Sequence, residues 1–174
     1  MDFIHSQRNS GFTLIELVIT IIVLGVLAAT AIPRFINLRG DAKKAAVENF
    51  YGSLQETVNL LHMKAQIKNK LGSDITIETD YGDYQFYRGY PETKSEATTP
   101  NLYFIETFLA LGTPDHVTKN NTTRAATYAD VSVYEDNGHS RIGYGTGNLI
   151  NNSCYAEYLH TSSTQVFTVK TDGC

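Results

Sequence analysis

Twenty-one consecutive residues, Phe12 to Ile32, carry a single charged side chain, Glu16. At about 1.5 Å per residue a helix of that length spans about 30 Å, the thickness of a bilayer's hydrocarbon core. A chain holding such a segment must place it in lipid or among other helices. An ionised glutamate in hydrocarbon costs at least about 2.5 kcal/mol, so Glu16 calls for a partner and marks a functional position. The overall composition, 42% hydrophobic and 18% charged, is ordinary for a globular chain, but much of the apolar share lies before Pro33. The 174 residues suffice for one domain with a modest core and an appendage.

Three readings of this segment compete. Ala29-Thr30-Ala31 offers a signal-peptidase site with Arg8 in a weakly basic leader, although the run exceeds the usual ~7–15 residues of a signal core and contains Glu16. A plain membrane anchor explains the length, but neither Glu16 nor the abrupt polar-to-apolar switch at Gly11. In the third reading the bond after Gly11 is cut, the polar leader MDFIHSQRNSG leaves, and a new amino terminus forms on Phe12, four residues from Glu16.

Beyond Pro33, apolar residues recur at Phe35, Leu38, Ala42, Ala46, Phe50, Leu54, Val58, Leu61 and Ala65, spaced by three or four. That spacing predicts one face of a helix continuing to about Lys68, with Asp41, Lys44 and Glu48 spaced for ion pairs on the opposite face. Lys64, Lys68 and Lys70 read as a solvated helix end complementing the dipole, the alternative being a patch for DNA or an anionic surface. After Gly72 the period changes. Alternating runs at Ile75–Glu78, Tyr84–Tyr90, Tyr128–Tyr134, Arg141–Tyr144, Cys154–Leu159 and Gln165–Lys170 predict strands, and the eleven tyrosines read mainly as strand residues. Asn137-Gly138 predicts a hairpin turn, and the last four runs an antiparallel sheet that buries the helix stripe. NLYFIETFLALG predicts a short helix ending at Gly112, with Pro114 just beyond. The two cysteines, Cys154 and Cys174, are either free buried thiols or the ends of one loop, the latter requiring an oxidising compartment.

The histidines show no zinc-ligand spacing, there is no phosphate loop or nucleotide fingerprint, and Asp80 and Asp83 in ETDYGDY are too few for a calcium loop. Asn120, Asn121 and Asn151 match glycosylation sequons but read as polar loops. The net charge is -4, and removing residues 1–11 leaves it unchanged because Asp2 and Arg8 cancel. A mildly acidic surface argues against nucleic acid as the main partner.

The stretch GFTLIELVITIIVLGVLAATAIPRF resembles the N-terminal signature of bacterial type IV pilins of the short-leader class: Gly before the cut, Phe after it, Glu four residues later, then a long apolar helix. Pseudopilins of type II secretion and minor pilins share it. PRFINLRGDAKKAAVENF resembles the mannose-sensitive haemagglutinin (MSHA) pilin subgroup. The resemblance implies an α+β fold, a long N-terminal helical spine kinked at Pro33 and packed against an antiparallel β-sheet head. It implies a leader at 1–11, a transmembrane and filament-core half-helix at 12–33, an amphipathic half at 34–70 and a β-rich head at 71–174. A prepilin peptidase would cut after Gly11 and methylate the amine of Phe12. Glu16 would pair with a neighbouring subunit's terminus, Gly25 and Pro33 would let the helix open on packing, and Cys154 would pair with Cys174 in a C-terminal loop.

The function so implied is that of the major structural subunit of an extracellular filament, serving attachment, adhesion and biofilm formation. The alternatives are a secretion pseudopilin or a minor pilin acting as a binding module. Such a chain would rest in the bacterial inner membrane before assembly and lie on the cell surface afterwards. It would have no catalytic role and no cofactor or metal. Its partners would be other copies of itself, the prepilin peptidase, the inner-membrane assembly machinery and an unidentified surface or receptor.

Overall fold

The computed structural model of the chain describes residues 12–120, 122–161 and 164–174, with the backbone alone at 33–37 and 164. The leader at 1–11, Gly11 included, lies outside the described residues, as do the side chains of Pro33 and Phe35. The elements run α1 (Leu14–Ile67), β1 (Ile75–Thr79), β2 (Gly82–Tyr87), β3 (Tyr90–Pro91), β4 (Lys94–Ser95), β5 (Leu102–Tyr103), α2 (Phe104–Phe108), β6 (His116–Lys119), β7 (Arg124–Tyr128), β8 (Val131–Glu135), β9 (His139–Gly143), a 3-10 turn (Ile150–Asn152), β10 (Tyr155–Thr161) and β11 (Thr164–Lys170). This is the α+β, pilin-like architecture expected. The chain divides into two compact units, 1–39 and 40–174.

In the first unit α1 passes through Gly25 and Pro33 without leaving its helical assignment. Leu14–Ile32 has a mean hydropathy of 2.6, and none of it is buried. Its two hydroxyls are satisfied internally, Thr20 donating to the Leu17 carbonyl at 2.7 Å and Thr30 to that of Leu27 at 3.0 Å. A hydroxyl that returns its proton to its own helix can face hydrocarbon at little cost.

In the second unit the remaining part of α1 buries Val47, Leu54, Val58, Leu61 and Ala65 in the core. The expected stripe is thus right from Leu54 onward. Before it, Leu38 and Ala42 are exposed and Ala46 only half-buried, while Val47, outside the read stripe, is fully buried. Asp41, Lys44 and Glu48 are exposed and make no ion pair with one another among the described residues.

The main sheet is an antiparallel meander of six strands, each paired with its neighbour in sequence from β6 to β11. Register puts Ala126, Val133, Ile142 and Ala156 opposite one another in one row, and all four are buried on the face that carries the core. A second sheet, β1-β2-β3, adds Ile77, Tyr84 and Phe86 to the same core. The buried tyrosines there are hydrogen-bonded, Tyr84 to the Glu92 carbonyl and Tyr158 to that of Pro91, each at 2.7 Å. Aromatic contacts tie α1 down: His62 stacks on Tyr90 with centroids 4.0 Å apart, and Tyr51 meets Phe167 edge-on at 6.5 Å.

Two expectations are corrected. The run Tyr128–Tyr134 is a hairpin, with Tyr128 opposite Val131 across a two-residue turn at Ala129-Asp130. Ala129 takes φ 51°, and its N–H is held at 2.6 Å by the Asp115 carboxylate. The helix expected to end at Gly112 stops at Phe108. Leu109 adopts extended backbone there and is 8% exposed, so burial of that side chain overrides local helix propensity. Strand β6, beyond that point, was not read in the sequence.

His160 sits in the core face of β10 with its Nε2 buried and without a hydrogen-bond partner among the described residues. Burial pulls its imidazole down to about 4 from an ordinary 6.5. The unfolded chain therefore binds a proton between these values that the folded chain refuses. Stability contributed by neutral His160 is complete above pH 6.5 and lost as pH falls toward 4. A His160→Phe variant is expected to flatten this acid limb, read as melting temperature against pH from 7 to 4.

Candidate functional site

The site singled out in the sequence opens α1. Thr13 precedes the first helical residue, Leu14, and Glu16 is three residues on. The Thr13 N–H donates to Glu16 Oε2 at 3.0 Å, the Thr13 hydroxyl donates to the same oxygen at 2.7 Å, and the Glu16 N–H donates back to the hydroxyl at 3.3 Å. This is a reciprocal capping box, which satisfies two of the donors a helix start leaves open. The T-x-x-E spacing was present in the sequence, but Glu16 was read only for its charge, and Thr13 was missed. Glu16 Oε1 has no partner among the described residues and remains able to accept a bond from outside the chain. Phe12 lies beside this box with its ring 78% exposed. Behind it, Leu14, Ile15, Leu17 and the large apolar residues to Ile32 are exposed in turn. The end of the helix thus joins a half-used carboxylate to a surface that only lipid or other helices can cover. Gly25 has nothing within 4 Å of where a Cβ would stand, so no packing within the chain demands a glycine there.

Prokaryotic proteins with an N-terminal methylation motif supply the family model that matches residues 6–32. The N-terminal segment carries this methylation motif and is similar to the corresponding segments of type IV pilins and of a type II secretion core protein. The chain is 51% identical over 42 residues to the type IV narrow pilus major component PilA5 of Thermus thermophilus, covering 24% of this chain and 36% of that one. It is 31% identical over 83 residues to the type IV major pilin protein PilA of Myxococcus xanthus, 48% of this chain and 38% of that relative. It is 36% identical over 59 residues to the type II secretion system core protein G of Aeromonas hydrophila, 34% of this chain and 39% of that one. The matches span well under half the length of these curated relatives. No solved structure matches the chain.

The second region singled out is the C-terminal loop. Cys154 and Cys174 are joined in a disulfide that closes 20 residues around the β10–β11 hairpin. The backbone adds to the closure, the Gly173 N–H donating to the Ser153 carbonyl at 3.0 Å. Gly173 has to be glycine, because a Cβ there would stand 1.7 Å from the Asn152 carbonyl oxygen. Replacing both cysteines with serine is expected to lower stability by about 3 kcal/mol, the chain-entropy value for such a loop, measured by urea unfolding of the full chain in detergent.

Sequence reading missed two charged clusters in the head. Glu135 is fully buried on the core face and accepts bonds from the Ile105 N–H at 2.6 Å and the Ser140 hydroxyl at 2.8 Å, with a longer one from the Glu106 N–H at 3.4 Å. Tyr103 gives α2 no side-chain cap, so Glu135, thirty positions beyond Ile105, serves instead. Burial pushes the Glu135 carboxyl up to about 8, against the opposing pull of these donors. On the other face Arg141 donates through Nε to Glu157 at 2.6 Å and through a terminal nitrogen to the Asn148 carbonyl at 3.2 Å. Both clusters knit strands together.

Proposed function

We propose that this chain is the major structural subunit of an extracellular type IV filament used for surface attachment, adhesion and biofilm formation, working by assembly rather than catalysis. One observation carries the reading: a methylation motif falls on a helix start whose carboxylate is half satisfied and whose following apolar residues are all uncovered. In this reading a prepilin peptidase cuts after Gly11 and methylates Phe12. The chain rests in the inner membrane through its N-terminal helix, and the assembly machinery then extracts it into a fibre outside the cell. Phe12 keeps a cationic amine, and Glu16 Oε1 accepts it from a neighbouring copy. Gly25 and Pro33 weaken the helix between, since Gly costs about 1 kcal/mol against Ala and Pro removes a backbone donor. The finer assignment to the MSHA subgroup rests on residues 33–50 and belongs to this proposal.

A second reading, a pseudopilin of a type II secretion system, draws support from the likeness to core protein G. The disulfide-closed C-terminal loop favours the filament subunit. Electron microscopy of material sheared from cells, with mass spectrometry of its dominant band, decides: long fibres made mainly of this chain support the first reading, and their absence from cells expressing the processed chain defeats it. N-terminal sequencing should begin at a methylated Phe12.

A further inference from the structure

A cleft of about 500 Å³ opens in the head, lined by Thr99, Pro100, Asn101, Tyr103, Lys119, Asn120 and Arg124. It continues into a lobe of about 420 Å³ that shares Lys119 and Arg124 and reaches Tyr81 and Glu106. Either lobe falls within the ~300–1,000 Å³ range of small-molecule sites.

Several donors of the lining are open among the described residues. Lys119 is exposed and has no ion-pair partner among the described residues. Asn120 spends its side-chain oxygen on the N–H groups of Thr122 and Thr123, at 2.9 and 2.7 Å, which leaves its NH2 group open. Arg124 is bonded through Nε to Glu106 and lies over the Tyr103 ring, 5.7 Å from its centroid. Glu106 is held in turn by the Tyr128 hydroxyl at 3.0 Å. The guanidinium is therefore fixed in place, with its terminal nitrogens unpartnered among the described residues. At the far end Tyr81 is 60% exposed, its ring propped edge-on against Phe108 at 5.7 Å.

These groups select a ligand class. No carboxylate lines the first lobe, and Glu106 balances Arg124, so Lys119 leaves the cleft with one net positive charge in a chain of net charge -4. One charge suits a monoanion and is too little for a phosphodiester backbone, whose binding grows with the number of phosphates neutralised. A planar guanidinium edge beside an ammonium fits a carboxylate. The amides of Asn101 and Asn120 and the Thr99 hydroxyl fit hydroxyl groups, and an exposed tyrosine offers a face to a ring of CH groups. We propose that this cleft binds a carboxylated sugar unit of the uronic-acid type, its carboxylate between Lys119 and Arg124 and its neighbouring ring against Tyr81.

The cleft is built within one chain and owes nothing to polymerisation, so its test is separate from that of the filament. Full-length chain in detergent micelles is titrated by calorimetry with trigalacturonate, with its methyl ester, and with a short single-stranded DNA. Trigalacturonate is expected to bind saturably, and the neutral ester about tenfold more weakly, as for loss of one charge-assisted hydrogen bond. Lys119→Gln, a change at an exposed side chain that leaves the fold intact, is expected to weaken binding by a similar factor, and Tyr81→Ala to weaken binding of acid and ester alike. Three results would overturn the proposal: no saturable binding at millimolar trigalacturonate, affinity unmoved by both substitutions, or tighter binding of the DNA with the same dependence on Lys119.

Discussion

Glu16→Gln is expected to leave leader removal intact and to abolish filaments, as judged by electron microscopy of sheared cell-surface material and by the processed size of the membrane-bound chain. Glutamine is the informative replacement because it separates the capping role of Glu16 from the intersubunit role proposed for it. Within its own chain it accepts from Thr13, a role an amide oxygen also fills, since capping boxes are built with Glu or Gln. In the proposed filament it would supply a negative charge to a neighbour, which glutamine lacks. An amine left unpaired in a low-dielectric core costs about 3–5 kcal/mol, some hundredfold or more in the concentration needed to polymerise. Glu16→Ala removes both duties, and Thr13→Val removes the hydroxyl of the box alone. If the charge governs assembly, Gln and Ala fail alike while Thr13→Val still forms fibres. If the helix start governs it, Gln assembles and the other two do not. Abundant normal fibres from Glu16→Gln would refute pairing with the Phe12 amine.

The head carries the second large effect. Glu135→Ala is expected to lower stability by roughly 4 kcal/mol, because it strands the Ile105 and Glu106 N–H groups and the Ser140 hydroxyl at about 1–3 kcal/mol for each buried donor left unmet. In a chain of this size that corresponds to a fall of roughly 10 °C in melting temperature. The pH dependence gives a separate signature. Glu135 titrates at about 8 when folded and at 4.5 ordinarily, so folding takes up a proton between those values. Its contribution is fully present below pH 4.5 and is lost as pH rises through 8. Glu135→Gln keeps an acceptor without the ionisation and is expected to abolish the decline in stability from pH 4.5 to 8, followed by urea unfolding across that range. A variant as pH-sensitive as the parent would show that another group sets the slope.

What could be read from the sequence depended on how local the cause was. The apolar run, strands β8 to β11 and the Asn137-Gly138 turn follow from residues next to one another, and each stands close to where patterning put it. The Ala129-Asp130 turn did not announce itself, since alanine rarely takes φ 51°; Asp115, brought there by β6, holds it in place. The end of α2 at Phe108 was equally hidden, because Leu109 leaves the helix to reach a core made by distant strands. Glu135 looked like one more charged strand residue, and only the register that sets it opposite Ser140 and Arg124 turns it inward. Thr13 was legible, being part of a four-residue motif, and was overlooked in favour of its neighbour's charge. The donor-lined cleft depends on the loop at 99–101 meeting the ends of β6 and β7, which no single stretch of sequence encodes.

The meander has a kinetic corollary. Since every strand from β6 to β11 pairs with the one just before or after it, the sheet has low contact order and closes only short loops as it forms. Hairpins whose segments become available in chain order can therefore add to the sheet one at a time. The β10–β11 hairpin, at one edge of the six-stranded sheet, is the one sealed by a covalent bond.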